Sequence, residues 1–165
     1  ASGAVRTAAV QLAKHFGAEV TGVTSTANLE LVTKLGAGRV IDYTSGDFST
    51  ALECYDIIAD AAGATSFSRC KAALKDKGHL LAIAGGLPDM LSALWAPITS
   101  SKRVIAGPAE ERPEDVPQLA DLARTGALRP VIDRYYDFAQ MREAHAYVET
   151  RRKRGSVAVT VQHDA

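Results

Sequence analysis

Apolar residues recur at helical spacing near the start of the chain. Val5, Ala8, Ala9, Leu12, Ala13 and Phe16 share one face and predict a helix over residues 7–16 that Gly17 stops. A short buried strand is expected over 19–24. Leu29, Leu31, Val32 and Leu35 then predict a second helix, capped by Asn28 or Thr26 and ended by Gly36. The alternation continues with a strand over 39–43, a short helix over 48–52 and a strand over 55–60. That strand runs into Ala61-Ala62-Gly63. A helix over 66–74 and a strand over 79–84, closed by Gly85-Gly86, complete this half. Strands and helices alternating at such short spacing predict βαβ units, hence an α/β fold with a parallel sheet and helices on both faces.

The pattern changes after Pro88. Residues 90–98 form an apolar segment that Pro97 is expected to interrupt, and 102–106 read as one more strand. The polar, proline-bounded stretch 108–113 is the expected boundary. It separates residues 1–108, the regularly alternating α/β part, from 109–165. Beyond it a helix is expected over 116–124, stopped by Gly126. Residues 129–133 should be extended, as Pro130 demands of its neighbour. Residues 138–149 are amphipathic through Met141, Ala144, His145 and Val148, and 156–161 read as a terminal strand.

Composition narrows the function classes. An apolar fraction of 47% beside 23% charged residues is that of a globular protein. Nineteen basic against nineteen acidic residues leave no net charge to attract nucleic acid or an anionic membrane. No apolar run approaches the roughly 18 residues of a membrane span, and no signal peptide is visible. Cys54 and Cys70 lack the spacing of a metal knuckle or redox pair, and His15, His79 and His145 fall on separate elements. The expectation is a cytoplasmic protein without a metal site, a nucleic-acid partner or a membrane partner. Asp56 and Asp60 flank a buried strand and are expected to make local hydrogen bonds.

The opening Ala1-Ser2-Gly3-Ala4-Val5-Arg6 leads straight into the first helix. A small-residue turn at a helix start suits a pyrophosphate, held on backbone N–H groups at the positive end of the helix dipole. Ser2, Gly3, Ala4 and Val5 are therefore candidate cofactor contacts. Arg6 stands where the third glycine of G-x-G-x-x-G would fall, so the loop reads A-x-G-x-x-R.

Taken together, ASGAV-x-TAAVQLAKHFGAEVTGV, KLGAGRVIDY, YDIIADAAG, GHLLAIAGG and LRPVIDRYYDF…EAHAYVETRRKRGSVAVTV carry a resemblance. They resemble, in order and over nearly the whole chain, the cofactor-binding half of a medium-chain, zinc-independent dehydrogenase of the quinone oxidoreductase type. The resemblance implies a six-stranded Rossmann sheet, here without its first strand and without the N-terminal catalytic domain. It implies that the C-terminal segment would complete that catalytic domain. A fragment of a longer protein is the favoured reading, and the gap left by the first strand implies self-association, with a homodimer as the expected partner state.

The end of the second strand bears on the cofactor. An acidic residue there favours NAD, whereas this chain has Thr24-Ser25-Thr26, which leave room for a 2′-phosphate and can donate to it. A plain strand-to-helix turn accounts for the same residues. The resemblance adds Tyr43 as a phosphate contact and Asn28 at a position often basic in relatives. NADPH is the expected cofactor, with NADH less favoured. Ala62, Gly63, Ala84 and Gly85 end two strands at the expected cofactor crevice, although tight turns explain them equally. The resemblance also points Arg151, in the RRKR run of 151–154, toward the cofactor phosphates; a solvated helix end is the competing reading. No nucleophile or general acid stands out, in keeping with direct hydride transfer to a small quinone, enone or carbonyl substrate. A binding or interaction module that has lost catalysis, with Arg6 as its mark, is the alternative. A methyltransferase is disfavoured because the second strand lacks an acidic end.

Overall fold

A computed structural model describes residues 3–46, 54–107 and 112–161. The chain gathers into two compact units, Ala1–Gly46 with Arg112–Ala165, and Asp47–Glu111.

In the first unit, helix α1 (Ala4–His15) is followed by strand β1 (Thr21–Thr24), a 3-10 turn (Thr26–Asn28), α2 (Leu29–Lys34) and β2 (Arg39–Asp42). The first two helices end as expected, with Gly17 at φ +82° and Gly36 at φ +108°, a region that glycine enters without the cost borne by other residues. β1 and β2 pair in parallel, Thr21 opposite Arg39 and Thr24 opposite Asp42. Val10 of α1 and Val32 of α2 pack with Ala37 into a small core, joined by Val20, Leu35 and Val40. Gly22 is needed there, because a Cβ would lie 2.4 Å from Val32 Cγ1.

The same unit holds α5 (Asp115–Arg124), stopped at Gly126 (φ +78°), and then β6 (Ile132–Asp137). A 3-10 turn (Phe138–Gln140), α6 (Met141–Glu149) and β7 (Ser156–Thr160) complete it. β6 and β7 are parallel, and their register shifts between Ile132 and Arg134, at Asp133. The Gln11 side chain pins α1 to the segment leading into β6: its amide donates to Arg129 O (3.0 Å) and its oxygen accepts from Arg129 N (2.9 Å).

The second unit contains β3 (Tyr55–Asp60), α3 (Phe67–Cys70), β4 (Leu74–Ala82), α4 (Leu87–Thr99) and β5 (Arg103–Ala106). The strands form a parallel ladder in the order β3-β4-β5. Cys70, Leu74, Leu80, Ala96 and Val104 form its core, with Ile58 and Phe67 against them.

The α/β architecture with parallel pairing follows the sequence pattern, and several boundaries differ. The expected helix over 66–74 is only Phe67–Cys70, because Leu74, fully buried, already pairs with Tyr55 as the start of β4. β4 therefore begins five residues early and stops at Ala82. Pro97 does not interrupt its segment: α4 runs through to Thr99. The proline sits in the last turn, where few further hydrogen bonds remain to be lost. Neither Asn28 nor Thr26 caps a helix through its side chain; Asn28 stands at the N-cap position of α2, but its amide turns to Ser25. The helix expected over 48–52 lies outside the described residues.

Candidate cofactor site

The first turn of α1 offers backbone donors. Gly3 is the N-cap, in extended backbone (φ −77°, ψ 167°), with no side-chain cap and no acidic residue in the first turn. The first intrahelical bond runs from Thr7 N to Gly3 O (2.8 Å), so the amides of Ala4, Val5 and Arg6 have no partner within the helix. Thr7, buried, anchors the turn through its hydroxyl to Ala4 O (2.8 Å). Gly3 forms a parallel bridge with Gly155, which holds the loop against the start of β7. Only glycine fits at 155: its φ is +95°, and a Cβ would lie 2.2 Å from Val131 O. Arg6 folds back over the loop, placing its guanidinium 3.1–3.6 Å from where a Gly3 Cβ would be. Ser2 lies outside the described residues.

The ends of β1 and β2 form a second cluster. Thr24 is buried, and its carbonyl accepts the Tyr43 N–H (3.0 Å). The Tyr43 side chain is exposed. The Asn28 amide donates to Ser25 Oγ (3.0 Å), which leaves the Ser25 proton to point elsewhere. Asn28 Oδ1 is buried without a hydrogen-bond partner, and such an acceptor is costly unless something donates to it. Thr26 is already committed: its hydroxyl donates to Asp42 Oδ2 (2.5 Å). Asp42 Oδ1 accepts from the Thr44 N–H (2.9 Å) and hydroxyl (2.7 Å). The Thr26 and Thr44 hydroxyls hold the Asp42 carboxyl below its ordinary value. Sequence reasoning missed Asp42; the signal was its Asp-x-Thr spacing, in which a short acidic side chain bonds the backbone two residues on.

Arg151 caps α6. It occupies the left-handed region (φ +57°), where its N–H bonds Val148 O (3.0 Å), the position after a helix end that glycine normally takes. Its side chain is exposed. The segment after it is fixed by Asp133, also missed from sequence. Asp133 Oδ2 accepts the Tyr147 hydroxyl (2.6 Å) and the Arg154 N–H (3.0 Å). The Arg134 guanidinium lies 3.8 Å from the Tyr147 ring centroid, a cation–π contact. Burial pushes the Asp133 carboxyl up, but the Tyr147 hydroxyl, the Arg154 amide and the Arg134 and Arg154 charges outweigh it and hold it low. The hydrogen bond to Asp133 in turn raises Tyr147.

In the second unit, small residues line the carboxyl ends of β3 and β4. Gly63 (φ +63°) approaches Ala84 O, 3.2 Å from its would-be Cβ, and a Cβ on Gly85 would lie 2.8 Å from that of Ala82. Asp60 builds the Ala62-Gly63 turn by accepting the N–H groups of Ala62 (2.8 Å) and Thr65 (2.9 Å). Asp56 pairs with Lys75 (2.8 Å). Asp60 thus makes the local hydrogen bonds expected of it, whereas Asp56 reaches across to β4.

The chain matches the family model described as zinc-binding dehydrogenase over residues 35–159. It is 31% identical over 189 residues to the mouse mitochondrial NAD(P)H oxidoreductase RTN4IP1, covering 98% of this chain and 46% of that protein. It is 30% identical to the chloroplastic NADPH-dependent alkenal/one oxidoreductase of Arabidopsis thaliana, covering 96% of this chain and 38% of that one. The quinone oxidoreductase structure from Coxiella burnetii superposes with a TM-score of 0.82 at 25% identity, over 98% of this chain and 50% of that chain. The chain spans about half the length, or less, of these proteins. Among the described residues no three of His, Cys, Asp and Glu lie together as a metal ion would require. The chain belongs to the zinc-binding dehydrogenase family, among the quinone oxidoreductase-type members of the medium-chain dehydrogenases and reductases.

Proposed function

We propose that this chain is the cofactor-binding portion of an NADPH-dependent reductase acting on a small quinone, enone or carbonyl substrate. The observation that carries the reading is the uncapped start of α1, held by the Gly3–Gly155 bridge with its first amides unclaimed by the helix. Those amides of Ala4 and Val5, with Gly3 and the neighbouring Ser2, would take the pyrophosphate. The free Ser25 proton and the exposed Tyr43 hydroxyl would donate to a 2′-phosphate beside Thr24, with the Asn28 amide orienting the Ser25 hydroxyl. Arg151 would add a cation. Ala62, Gly63, Ala84 and Gly85 would leave room for the ribose and nicotinamide. The bound cofactor supplies the hydride; this chain positions it and keeps water out. NADH, lacking the phosphate, would bind less well.

Two relatives support the cofactor class through their names, which specify NAD(P)H and NADPH. The two cysteines form no disulfide with one another, which suits a cytoplasmic setting, although both of those relatives carry organellar names. Homodimerisation finds support in the exposed apolar residues of α4, Leu87, Leu91, Leu94 and Ile98.

A second reading, a module that binds without catalysis, rests on Arg6 lying over Gly3. Thermal shift with NADPH, NADH and S-adenosylmethionine separates the classes. NADPH should raise Tm most; no shift with either nicotinamide cofactor would remove the reductase reading, and a shift with S-adenosylmethionine alone would replace it. Arg6→Gly should raise NADPH affinity by uncovering the loop. A loss of affinity instead would make Arg6 a cofactor contact.

A further inference from the structure

Beside the middle of β4 and the amino end of β5 the second unit carries an open depression of about 520 Å³, lined by Lys77, His79, Pro97, Ser100, Ser101 and Arg103. His79 and Arg103 are register partners on adjacent parallel strands, so their backbones stand abreast at its floor. Lys77 enters the site through a left-handed backbone (φ +60°), a conformation that non-glycine residues rarely adopt. Gly78 holds that turn, since a Cβ there would lie 2.9 Å from Lys75 O and 3.2 Å from Tyr55 O.

The neighbouring charges are otherwise engaged. Lys75 pairs with Asp56, the Lys102 ammonium donates to Lys71 O (2.6 Å), and Ser101 Oγ donates to Asp76. Among the described residues the Lys77, His79 and Arg103 side chains make no hydrogen bond or ion pair. A lysine, an arginine and an imidazole thus line one concavity with unspent donors, while the Asp76 carboxylate is engaged by Ser101. Strain retained at Lys77 is the kind that persists where surroundings over-determine a functional position.

The geometry points to a second anion site, separate from the α1 loop, that takes a free small-molecule phosphate on Lys77, His79 and Arg103. The planar guanidinium fits two phosphate oxygens at once, and the lysine adds a point charge. The concave shape, rather than a flat basic face, favours a free phosphate over a lipid headgroup.

Amide NMR of the full chain, titrated with sodium phosphate against sodium chloride at equal ionic strength, tests this. Saturable shifts are expected at residues 77–79 and 101–103, distinct from any at residues 3–6 where a cofactor phosphate would act. Arg103→Gln and Lys77→Gly should each weaken this binding at least threefold; glycine keeps the left-handed turn, so that variant should stay folded. Shifts equal in chloride, or unaltered by both variants, would overturn the site. Sedimentation with phosphatidic acid vesicles, lost in Arg103→Gln, would overturn the free-ligand form of the proposal.

Discussion

Asp133 shows how one side chain organises the approach to the candidate site. Asp133 falls at the register shift of the β6–β7 ladder, and its carboxylate holds both Tyr147 and the Arg154 amide. Asp133→Asn should cost about 1–3 kcal/mol in urea unfolding, the range for a hydrogen bond to a charged group whose partners are left behind. Its folded pKa is depressed, so its contribution is present above the unfolded value, about 3.9, and is lost as pH falls through the lower folded value. Wild-type stability should therefore drop more steeply than that of Asp133→Asn below about pH 4, and parallel curves would contradict this. Gly155→Ala should cost about 1–3 kcal/mol or more, because the backbone is left-handed and Val131 O blocks the Cβ. Residues of this kind were not legible in the sequence. The Gly3 loop and Ser25 stand out by residue type, and Tyr43 enters only through the family resemblance; all three remain proposals for the cofactor. Asp42, Asp133 and Lys77 owe their roles to partners brought close by strand pairing or turn geometry, which no local pattern reports.

The elements themselves were legible wherever an apolar period met a glycine stop. β3 spans the expected six residues, and α1, α2 and α5 end where Gly17, Gly36 and Gly126 turn the chain. The misreadings came from tertiary pairing. Leu74 looked helical by spacing, but burial against Tyr55's strand recruits it to β4, and the intervening turn through Lys77 and Gly78 absorbs the extra residues. Leu80, on that strand and 1% exposed, sits at the centre of the second unit's core. Leu80→Ala should destabilise by about 2–5 kcal/mol, measured by denaturant unfolding. A cost under about 1 kcal/mol would mean that the core readily collapses around the gap. Lys77→Gly should go the other way and stabilise modestly, by releasing the left-handed backbone.

For the whole molecule, family membership and parallel α/β architecture agree with what the ordered motifs implied, since each motif marks a strand end or helix start that the topology requires. The central claim is that the first unit reads the 2′-phosphate through hydroxyls rather than through a basic residue. Ser25 and Tyr43 are the donors left once Thr26 is bound to Asp42. Calorimetry of the full chain with NADPH and NADH, repeated on Tyr43→Phe, tests that claim most directly. NADPH should bind more tightly than NADH, and Tyr43→Phe should narrow the gap mainly by weakening NADPH. Equal affinities for the two cofactors in the unaltered chain would contradict the account.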